Sequence, residues 1–493
     1  MVRTRFAPSP TGYMHIGNLR TALYAYCIAK HSQGRFLLRI EDTDRKRNVP
    51  KAIQVIYDSL KLAGLAYDEG PDKDGGYGPY VQSQRKDQGV YQHYADLLVE
   101  RGAAYRCFCG KPAEVHLSPA PTKERILLTG REKGQPAAAH RDPCCDLPEN
   151  QVKARLEAGE PYVIRQRIPQ EGTTTFHDLV FGAITVKNST LDEQVLLKSD
   201  GFPTYNFAYV VDDHLMGITH VVRGVEYLSS TPKYDLLYKS FGWEVPAYIH
   251  LPHIVKESGK KLSKRAGDAS FQDLIAQGFL PEAIINYVAL LGWSPANDRE
   301  FFTLPELVEL FNVAHINKSK AAFSIQKLEW LNGEHIRQLA PGDFHEYAAD
   351  YYPARLAAAC DTAVVSRMIQ TRVTRLGAIP EMTQFLVEVA PYDLELYTHA
   401  KSKSTLESSL QVLKAAVPIF ARMRDWNEES IRQALVDHAG QANLKTGTVM
   451  WPVRVALSGL QNTPGGALEI AAALGKAETI RRIEAAVTKM QGL

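Results

Sequence analysis

The sequence predicts an α/β protein: a Rossmann-like parallel-sheet domain, split by an α+β insertion and followed by an all-α region. Three observations support this prediction. A strand, loop, helix, strand pattern opens the chain, strand-like runs return after residue 200, and the second half is mostly helical in period. The 493 residues are enough for several domains, roughly three to five at about 100 to 150 residues each.

The first elements predict a βαβ unit. Residues 2–7 and 36–40 are predicted strands, and residues 15–29 between them form a predicted helix with apolar side chains at three- and four-residue spacing. A second helix is expected to begin at Pro50, because proline suits the first helical position, and to end at Gly64.

The middle of the chain predicts an inserted α+β domain. Between residues 100 and 198 the pattern becomes irregular, with several prolines and a pair of cysteines. Within it, residues 161–169 and 182–188 alternate like strands. An insertion here would divide the parallel-sheet domain in two.

The parallel sheet is predicted to resume after the insertion. The runs 206–213 and 218–224 are strand-like and are followed by a helix whose first position is Pro232. Beyond residue 268 the apolar spacing is almost entirely helical, which predicts an all-α C-terminal half. The clearest helical stretches are 281–291, 304–311, 404–417 and 467–489.

Composition narrows the class of protein. With 45% hydrophobic and 23% charged residues the chain is typical of a soluble globular protein, and it contains no apolar run long enough to span a membrane. The N-terminus lacks the apolar stretch of a secretory signal, so a cytoplasmic location is expected. A net charge of +2 argues against a nucleic-acid packaging protein but leaves room for local basic patches on a large RNA partner.

Two stretches carry the chemistry. In "PSPTGYMHIGN" (residues 8–18) a proline-rich turn leads from a strand into a helix and aims backbone N–H groups at a pocket, where Thr11 and His15 add donors for phosphate charge. In "KESGKKLSKRAGD" (256–268) lysines lie among glycines, which suits a departing pyrophosphate. Each stretch alone has a simple alternative: a helix-capping histidine in the first and a solvated basic loop in the second.

Together the two stretches resemble the HIGH and KMSKS signatures of class I aminoacyl-tRNA synthetases, in that order. Asn18 stands where the HIGH signature has its second histidine. The runs "RFAPSPTG", "RIEDTDR" and "SDGFPTYNFAYVVDDHLMGITHVVRGVEY" are similar to the glutamyl branch of this class. The resemblance extends over essentially the whole chain and is strongest up to about Trp330.

The resemblance implies a division of labour along the chain. It implies a Rossmann-like catalytic domain in two halves, 1–99 and 200–255, an acceptor-binding α+β insertion, 100–199, a stem-contact domain with the KLSKR loop, 256–332, and an all-α anticodon-binding region, 333–493. It also implies a monomer that activates L-glutamate with ATP and Mg2+. The enzyme would release pyrophosphate and transfer glutamate to the 3′-terminal adenosine of tRNA(Glu).

The resemblance also assigns site residues by matching position. His15, Lys264, Lys261 and Thr11 would be catalytic; His15, Gly17, Asn18, Glu226 and Lys264 would bind ATP; Arg5, Ala7, Ser9, Glu41, Tyr205 and Arg223 would bind glutamate; and Arg372 would bind tRNA. These residue types suit the substrate, because two carboxylates and one ammonium need arginine donors and an acidic partner. Two structural alternatives stay open. Glu41 could be a strand-end carboxylate paired with Arg39 or Arg45, and Arg223 could be a surface strand residue.

The cysteines predict a metal site in the insertion. Six cysteines are too few for a disulfide scaffold in a chain of this length, whereas the pair Cys107 and Cys109 favours metal or thiol chemistry. Resemblance to zinc-carrying glutamyl-tRNA synthetases implies Cys144 as the third zinc ligand and His140 or Asp146 as the fourth. Further candidates are His116 and Cys145. The alternative is a reduced loop without metal.

Four other functions are compatible with parts of the sequence. A truncated synthetase-like enzyme that glutamylates a modified base ends after its catalytic domain, so it does not explain the helical tail. A glutaminyl enzyme fits "RIEDTD" and "RFAPSPTG" less well. A small-molecule nucleotidyltransferase also leaves the helical tail unexplained, and an inactive RNA-binding paralogue does not explain the presence of His15, Lys264, Arg5 and Glu41.

Overall fold

The computed structural model describes residues 1–44, 49, 51–109, 142–260, 262 and 270–492. The chain forms two compact units. The first unit comprises Met1–Gln272 and Ile285–Ser324, and the second comprises Asp273–Ile284 and Ile325–Leu493.

The first unit contains the strands. They are β1 (Arg3–Phe6), β2 (Arg35–Leu38), β3 (Ala104–Cys107), β4 (Val163–Gln166), β5 (Thr173–Asp178), β6 (Gly182–Lys187), β7 (Val195–Leu197), β8 (His220–Gly224), β9 (Ala247–Leu251), β10 (Ile254–Lys256) and β11 (Ala321–Phe323). Its helices are α1 (Ile16–His31), α2 (Ala52–Leu62), α3 (Gln82–Asp87), α4 (Val90–Glu100), α5 (Glu149–Glu157), α6 (Tyr205–Leu215), α7 (Thr231–Phe241) and α10 (Leu304–Leu310). Two further helices, α8 (Phe271–Ala276) and α9 (Pro281–Leu290), have residues in both units.

The predicted split parallel sheet is confirmed. β1 pairs in parallel with β2, and β8 pairs in parallel with β9. The two halves adjoin, because the backbone N–H of Thr219, just before β8, donates to the carbonyl oxygen of Arg3 in β1 at 2.9 Å. Between the halves, β3, β4 and β7 form an antiparallel sheet, as expected of an α+β insertion. The insertion is not fully separate, since β5 also pairs with β9 at Asp178.

One predicted element is wrong. Residues 206–213 were expected to form a strand, but they lie in helix α6. The side chains from Phe207 to Asp213 are all buried, so the run shows neither the period of two nor the period of 3.6 that separates strands from helices. The neighbouring strand prediction is confirmed, since β8 lies within 218–224. The predicted helix is α7, which begins at Thr231, one residue before the predicted first position Pro232.

The second unit is all-helical in the region predicted to be so. After α8 and α9 come α11 (Ile325–Gln338), α12 (Pro341–Ala349), α13 (Ala354–Ala359), α14 (Thr362–Ile369), α15 (Ile379–Val387), α16 (Leu406–Arg422), α17 (Glu428–Gln441), α18 (Thr446–Ser458) and α19 (Ala467–Gln491). The last helix, α19, is interrupted at Gly475, whose φ of 77° is in the left-handed region, and it packs on α14, α16, α17 and α18. Across the described residues, no helix is both long and apolar enough to cross a membrane.

A buried arginine ties the ends of two helices in this unit to α19. Arg482 in α19 donates to the carbonyl oxygens of Phe385 and Leu386 near the end of α15 and of Leu457 near the end of α18, at 2.6 to 2.7 Å. These carbonyls lie in the last turns of their helices, where intrahelical donors run out. A cation at such helix ends also offsets the negative end of the helix dipole.

A close backbone approach within the second unit provides a test of this fold. A Cβ atom on Gly377 would overlap the backbone oxygen of Gln277, whereas one on Gly440 in α17 would meet nothing within 4 Å. We expect Gly377→Ala to lower the free energy of unfolding by about 1–3 kcal/mol because the backbones must separate. Gly440→Ala is the matched control and should be neutral or stabilising by up to about 1 kcal/mol. Thermal unfolding of both variants measures the change in stability. A Gly377→Ala protein as stable as the wild type would contradict the close contact between the backbones of Gly377 and Gln277.

Candidate active site

The loop between β1 and α1 ends in a histidine that caps the helix. His15 is the N-cap of α1, and its Nδ1 accepts a hydrogen bond from the backbone N–H of Gly17 at 3.0 Å. A neutral ring whose Nδ1 accepts carries its proton on Nε2. His15 is therefore a helix-capping histidine, as the simple alternative predicts. The same hydrogen bond also orients Nε2 as a donor. Ser9 and Thr11 lie exposed in the loop.

The fold brings the segment that follows the second motif to the first motif. Ser270, five residues after the KLSKR run, forms an isolated antiparallel bridge with His15. The backbone N–H of Phe271 donates to the carbonyl oxygen of Met14 at 3.0 Å, and the N–H of Met14 donates to Gln272 Oε1 at 3.2 Å, although Met14 and Gln272 are 258 positions apart. The predicted catalytic residues Lys261 and Lys264 lie outside the described residues.

A buried ionic network extends from β1 to α6. Arg5 Nε donates to both oxygens of Asp213 at 3.0 and 3.1 Å, and Arg39 Nη1 donates to Asp213 Oδ1 at 2.6 Å. Arg39 also donates to Glu41 Oε1 from Nη2 at 2.8 Å. Burial alone would raise the pKa of Asp213, but the charges of Arg5 and Arg39 outweigh it and lower that pKa.

Glu41 keeps one oxygen for another partner. Its pairing with Arg39, which the sequence left open, uses Oε1, while Oε2 is buried and has no hydrogen-bond partner among the described residues. Burial raises the pKa of Glu41, and the nearby charges of Arg39 and Arg5 oppose the shift. An ammonium group at Oε2 would satisfy this oxygen and stabilise the charged carboxylate.

Arg223 is a buried cation with one unpartnered nitrogen. It is only 4% exposed, so its interpretation as a surface strand residue is wrong. Its Nε donates to His250 Nε2 and its Nη2 to Thr231 Oγ1, both at 3.0 Å, whereas Nη1 is buried without a partner. Within the described part of the chain no carboxylate forms an ion pair with it. A buried guanidinium in this state favours an anionic ligand.

Tyr205 links the acidic and basic sides of this pocket. Its ring stacks on Tyr227 with ring centroids 5.3 Å apart. Burial raises the pKa of Tyr205 well above its ordinary value, with contributions in opposite directions from Glu41, which raises it, and Arg223, which lowers it. Charge interactions therefore link Tyr205 with Glu41 and Arg223, and Glu41 with Arg5, so these four predicted glutamate-binding residues lie near one another.

The other predicted site residues have less distinctive surroundings. Asn18 is exposed in the first turn of α1, and Ala7 is half-buried after β1. Glu226 lies in the first turn of a 3-10 segment after β8, and its Oε2 lies 3.8 Å from His253 Nδ1. Arg372 is exposed after α14 in the second unit.

Three residues in these contacts were not predicted from the sequence, whereas Arg39 was predicted as a possible partner of Glu41. Asp213 accepts from Arg5 and Arg39, His250 accepts from Arg223, and Asp178 bonds His250. The spacing of Arg39 and Glu41 was a usable signal, because residues i and i+2 share one face of an extended segment. Asp178 and His250 are 72 positions apart, and nothing in the local sequence joins them.

Three cysteines and an aspartate converge in the insertion. Donor atoms of Cys107, Cys109, Asp142 and Cys144 all lie within 4.8 Å of one another. Cys107 Sγ–H donates to Asp142 Oδ2 at 2.9 Å, and the sulfurs of Cys109 and Cys144 are 3.2 Å apart. Three thiols and a carboxylate match the ligand types of a tetrahedral zinc site. The cluster includes Asp142, which the sequence did not suggest, and not Asp146; His140 and His116 lie outside the described residues.

Comparisons with known families define the class of protein. Residues 1–330 match the family described as "tRNA synthetases class I (E and Q), catalytic domain", and residues 334–487 match "Anticodon binding domain". The split parallel sheet, the two sequence motifs and the helical second unit are thus those of a class I tRNA synthetase. The second match also covers the region that a truncated synthetase-like enzyme would lack.

Individual relatives narrow the class further. The chain is 52% identical over 493 residues to the glutamate–tRNA ligase of Clostridium acetobutylicum, covering 99% of both chains, and 51% identical over 494 residues to that of Clostridium botulinum, covering 100% of this chain and 99% of the relative. Crystal structures of a glutamate–tRNA ligase from Elizabethkingia meningosepticum, in complex with its amino acid, and of the glutamate–tRNA synthetase from Elizabethkingia anophelis each superpose with a TM-score of 0.83 at 32% identity, covering 99% of both chains. The chain belongs to the glutamate–tRNA ligase family.

The cysteine cluster predicts bound zinc with Asp142 as the fourth ligand. Protein purified without chelator should carry about one zinc per chain, and Asp142→Ala should weaken its retention against a competing chelator by at least about tenfold, because one of four ligands is lost. Asp146→Ala is the matched control and should retain zinc. Elemental analysis measures both. Loss of zinc in Asp146→Ala alone would transfer the ligand role to Asp146, and absence of zinc from the wild type would leave a metal-free thiol cluster.

Proposed function

We propose that this protein ligates L-glutamate to tRNA(Glu) in two steps. An oxygen of the glutamate α-carboxylate attacks the α-phosphate of ATP, forming glutamyl adenylate and releasing pyrophosphate. The 2′-hydroxyl of the terminal adenosine then attacks the activated carbonyl, and AMP leaves. The observation that carries the proposal is the pair of buried atoms without a hydrogen-bond partner among the described residues, Glu41 Oε2 and Arg223 Nη1, on two residues that both interact electrostatically with Tyr205.

The pocket suits an amino acid with an acidic side chain. Glu41 Oε2 is an acceptor suited to the ammonium group, and Arg223 Nη1 is a donor suited to a carboxylate. Arg5 supplies a second buried cation and Tyr205 a hydroxyl. Ala7 and Ser9 would line the same pocket from the loop after β1. Arg5 and Glu41 also belong to the buried network with Asp213 and Arg39, so Arg223 is the buried cation whose charge a substrate carboxylate would offset.

ATP would bind against the N-terminal end of α1. Backbone N–H groups there, including that of Gly17, and the donor nitrogen of His15 favour phosphate oxygens. Thr11 and Asn18 would add polar contacts, and Glu226 would contact the ribose. Lys261 and Lys264 would offset charge on the reacting phosphates. Mg2+ would enter with ATP and would supply positive charge to its phosphate groups.

The remaining segments would bind the RNA. We assign catalysis to 1–99 and 200–255, the acceptor end of tRNA to the insertion 100–199, its stem to 256–332, and its anticodon to 333–493. The exposure of Arg372 supports contact with an unpaired base, where stacking and polar edges provide recognition. The side chains assigned to glutamate and ATP all belong to one chain, which supports a monomer. A role in translation supports a cytoplasmic location.

ATP–pyrophosphate exchange tests the proposed reaction directly. Purified protein should catalyse exchange with glutamate, stimulated by tRNA, and not with glutamine or aspartate, because only glutamate fills both carboxylate positions at the required distance. The same assay without amino acid sets the background. An absence of tRNA-stimulated exchange with glutamate would overturn the proposal.

Replacement of Glu41 tests the amino-acid pocket. Glu41→Gln keeps the shape of the side chain but removes the charge that faces the ammonium group, so the KM for glutamate should rise by about 10- to 100-fold, the effect of losing one charged hydrogen bond of about 1.5–3 kcal/mol. The KM for ATP should change little. The matched control is Glu193→Gln, since Glu193 is also buried but bonds the Tyr105 hydroxyl within the insertion. Equal effects of the two substitutions on the KM for glutamate would contradict the assignment.

A further inference from the structure

Arg223 ends a chain of buried hydrogen bonds that crosses three neighbouring strands. Asp178 lies in β5, His250 in β9 and Arg223 in β8, and these strands are adjacent in one sheet. Asp178 Oδ2 bonds His250 Nδ1 at 2.6 Å, and His250 Nε2 bonds Arg223 Nε at 3.0 Å. All three side chains are at most 4% exposed. This series of hydrogen bonds therefore connects the insertion, which contributes β5, to the amino-acid pocket.

The protonation of His250 follows from its two neighbours. The Asp178 carboxylate can only accept, so Nδ1 carries the proton and Nε2 offers its lone pair to the N–H of Arg223. Burial lowers the pKa of His250 to about 4, although Asp178 opposes the shift. The ring is thus neutral at neutral pH. A protonated ring would place an N–H and a positive charge against the guanidinium.

Asp178 is itself fixed by the backbone. Its Oδ1 accepts from the N–H groups of Val180 and Phe181 at 2.9 and 2.8 Å, and its Oδ2 also accepts from the N–H of His250 at 3.0 Å. A carboxylate held by three backbone donors and one imidazole has little freedom to rotate. The orientation of the His250 ring is set in turn by this carboxylate.

The surroundings of Arg223 leave only one nitrogen without a protein partner. Nε is bonded to His250 and Nη2 to Thr231, which lies at the start of α7. Four tyrosine rings enclose the guanidinium, with its central carbon 4.8 to 5.5 Å from the centroids of Tyr209, Tyr227, Tyr234 and Tyr248. Aromatic faces stabilise a cation without neutralising it as a carboxylate would. The positive charge is therefore kept for a ligand at Nη1.

We propose that Asp178 and His250 are positioning residues for the amino-acid substrate: by bonding Nε, they hold Arg223 so that Nη1 meets a substrate carboxylate. The inference rests on the proposed function, since it assumes that glutamate occupies this pocket. Without the hydrogen bond from Arg223 Nε to His250, the guanidinium can rotate about the Cδ–Nε bond. Nη1 then leaves the position at which it meets the carboxylate. A displacement of about 1 Å is enough to reduce productive binding by up to about 100-fold.

Two substitutions of His250 separate this role from a purely structural one. His250→Asn places its amide near the position of Nδ1, where it reaches Asp178 but not Arg223. His250→Gln places an amide oxygen near the position of Nε2, where it can accept from Arg223. In tRNA-stimulated exchange we expect His250→Asn to raise the KM for glutamate by about 10- to 100-fold, with the KM for ATP and the Tm nearly unchanged. His250→Gln should restore the KM for glutamate to within about threefold of the wild type.

Controls make the outcomes distinct. His220→Gln is a matched control in the same strand as Arg223, because His220 bonds Thr219 and should give wild-type constants. Thr231→Val removes the acceptor of Nη2 while keeping His250, and should raise the KM for glutamate by about 3- to 10-fold, so it tests the same orientation if His250→Asn does not fold.

The inference is overturned if His250→Asn and Thr231→Val leave the KM for glutamate unchanged, or if all His250 variants raise the KM values for glutamate and ATP equally. Normal exchange by the wild type in either case would leave the proposed function intact. A wild type that shows no exchange with glutamate would overturn both.

Discussion

Charges buried in the first unit need opposite charges or hydrogen bonds around them, and this requirement holds distant segments of the chain together. Three arginines and three carboxylates lie buried together where β1, the end of β2, α3 and α6 meet. They are Arg5, Arg39, Arg85, Glu41, Asp212 and Asp213. Each charge would be costly alone, and each is tolerated because opposite charges and hydrogen bonds surround it. The network therefore fixes the relative positions of elements that are distant in the sequence, since moving one of them would leave a buried charge without a partner.

Two atoms at the proposed amino-acid site suit a charged ligand. Glu41 Oε2, in the network, and Arg223 Nη1 are among the buried polar atoms that have no hydrogen-bond partner within the described residues. An acceptor on a carboxylate and a donor on a guanidinium would both be satisfied by a ligand with complementary charges. The zwitterionic glutamate, with its additional side-chain carboxylate, has the required groups. Folding has already removed water from these atoms, so ligand binding does not have to desolvate them. In this sense the site is preorganised.

Strand pairing brings remote parts of the sequence together. β1 and β8 lie side by side although the insertion separates them in the sequence. The bridge between His15 and Ser270 brings the segment that follows the KLSKR run to the start of α1. β5, from within the insertion, pairs with β9 in the sheet that contains β8, and it delivers Asp178 to His250. The insertion is thus connected by hydrogen bonds to Arg223.

Local periodicity and short patterns near strand ends are enough to predict the class of fold, the two motifs and most residue types proposed for the amino-acid site. The prediction fails at 206–213, where complete burial removes the periodicity that identifies a helix. The folded chain is needed to see which charges neutralise each other, that Asp142 joins the cysteines, and that Arg223 bonds His250, which in turn bonds Asp178. These relations arise from atoms within about 3 Å whose residues are tens to hundreds of positions apart, and no local pattern in one chain encodes such a contact.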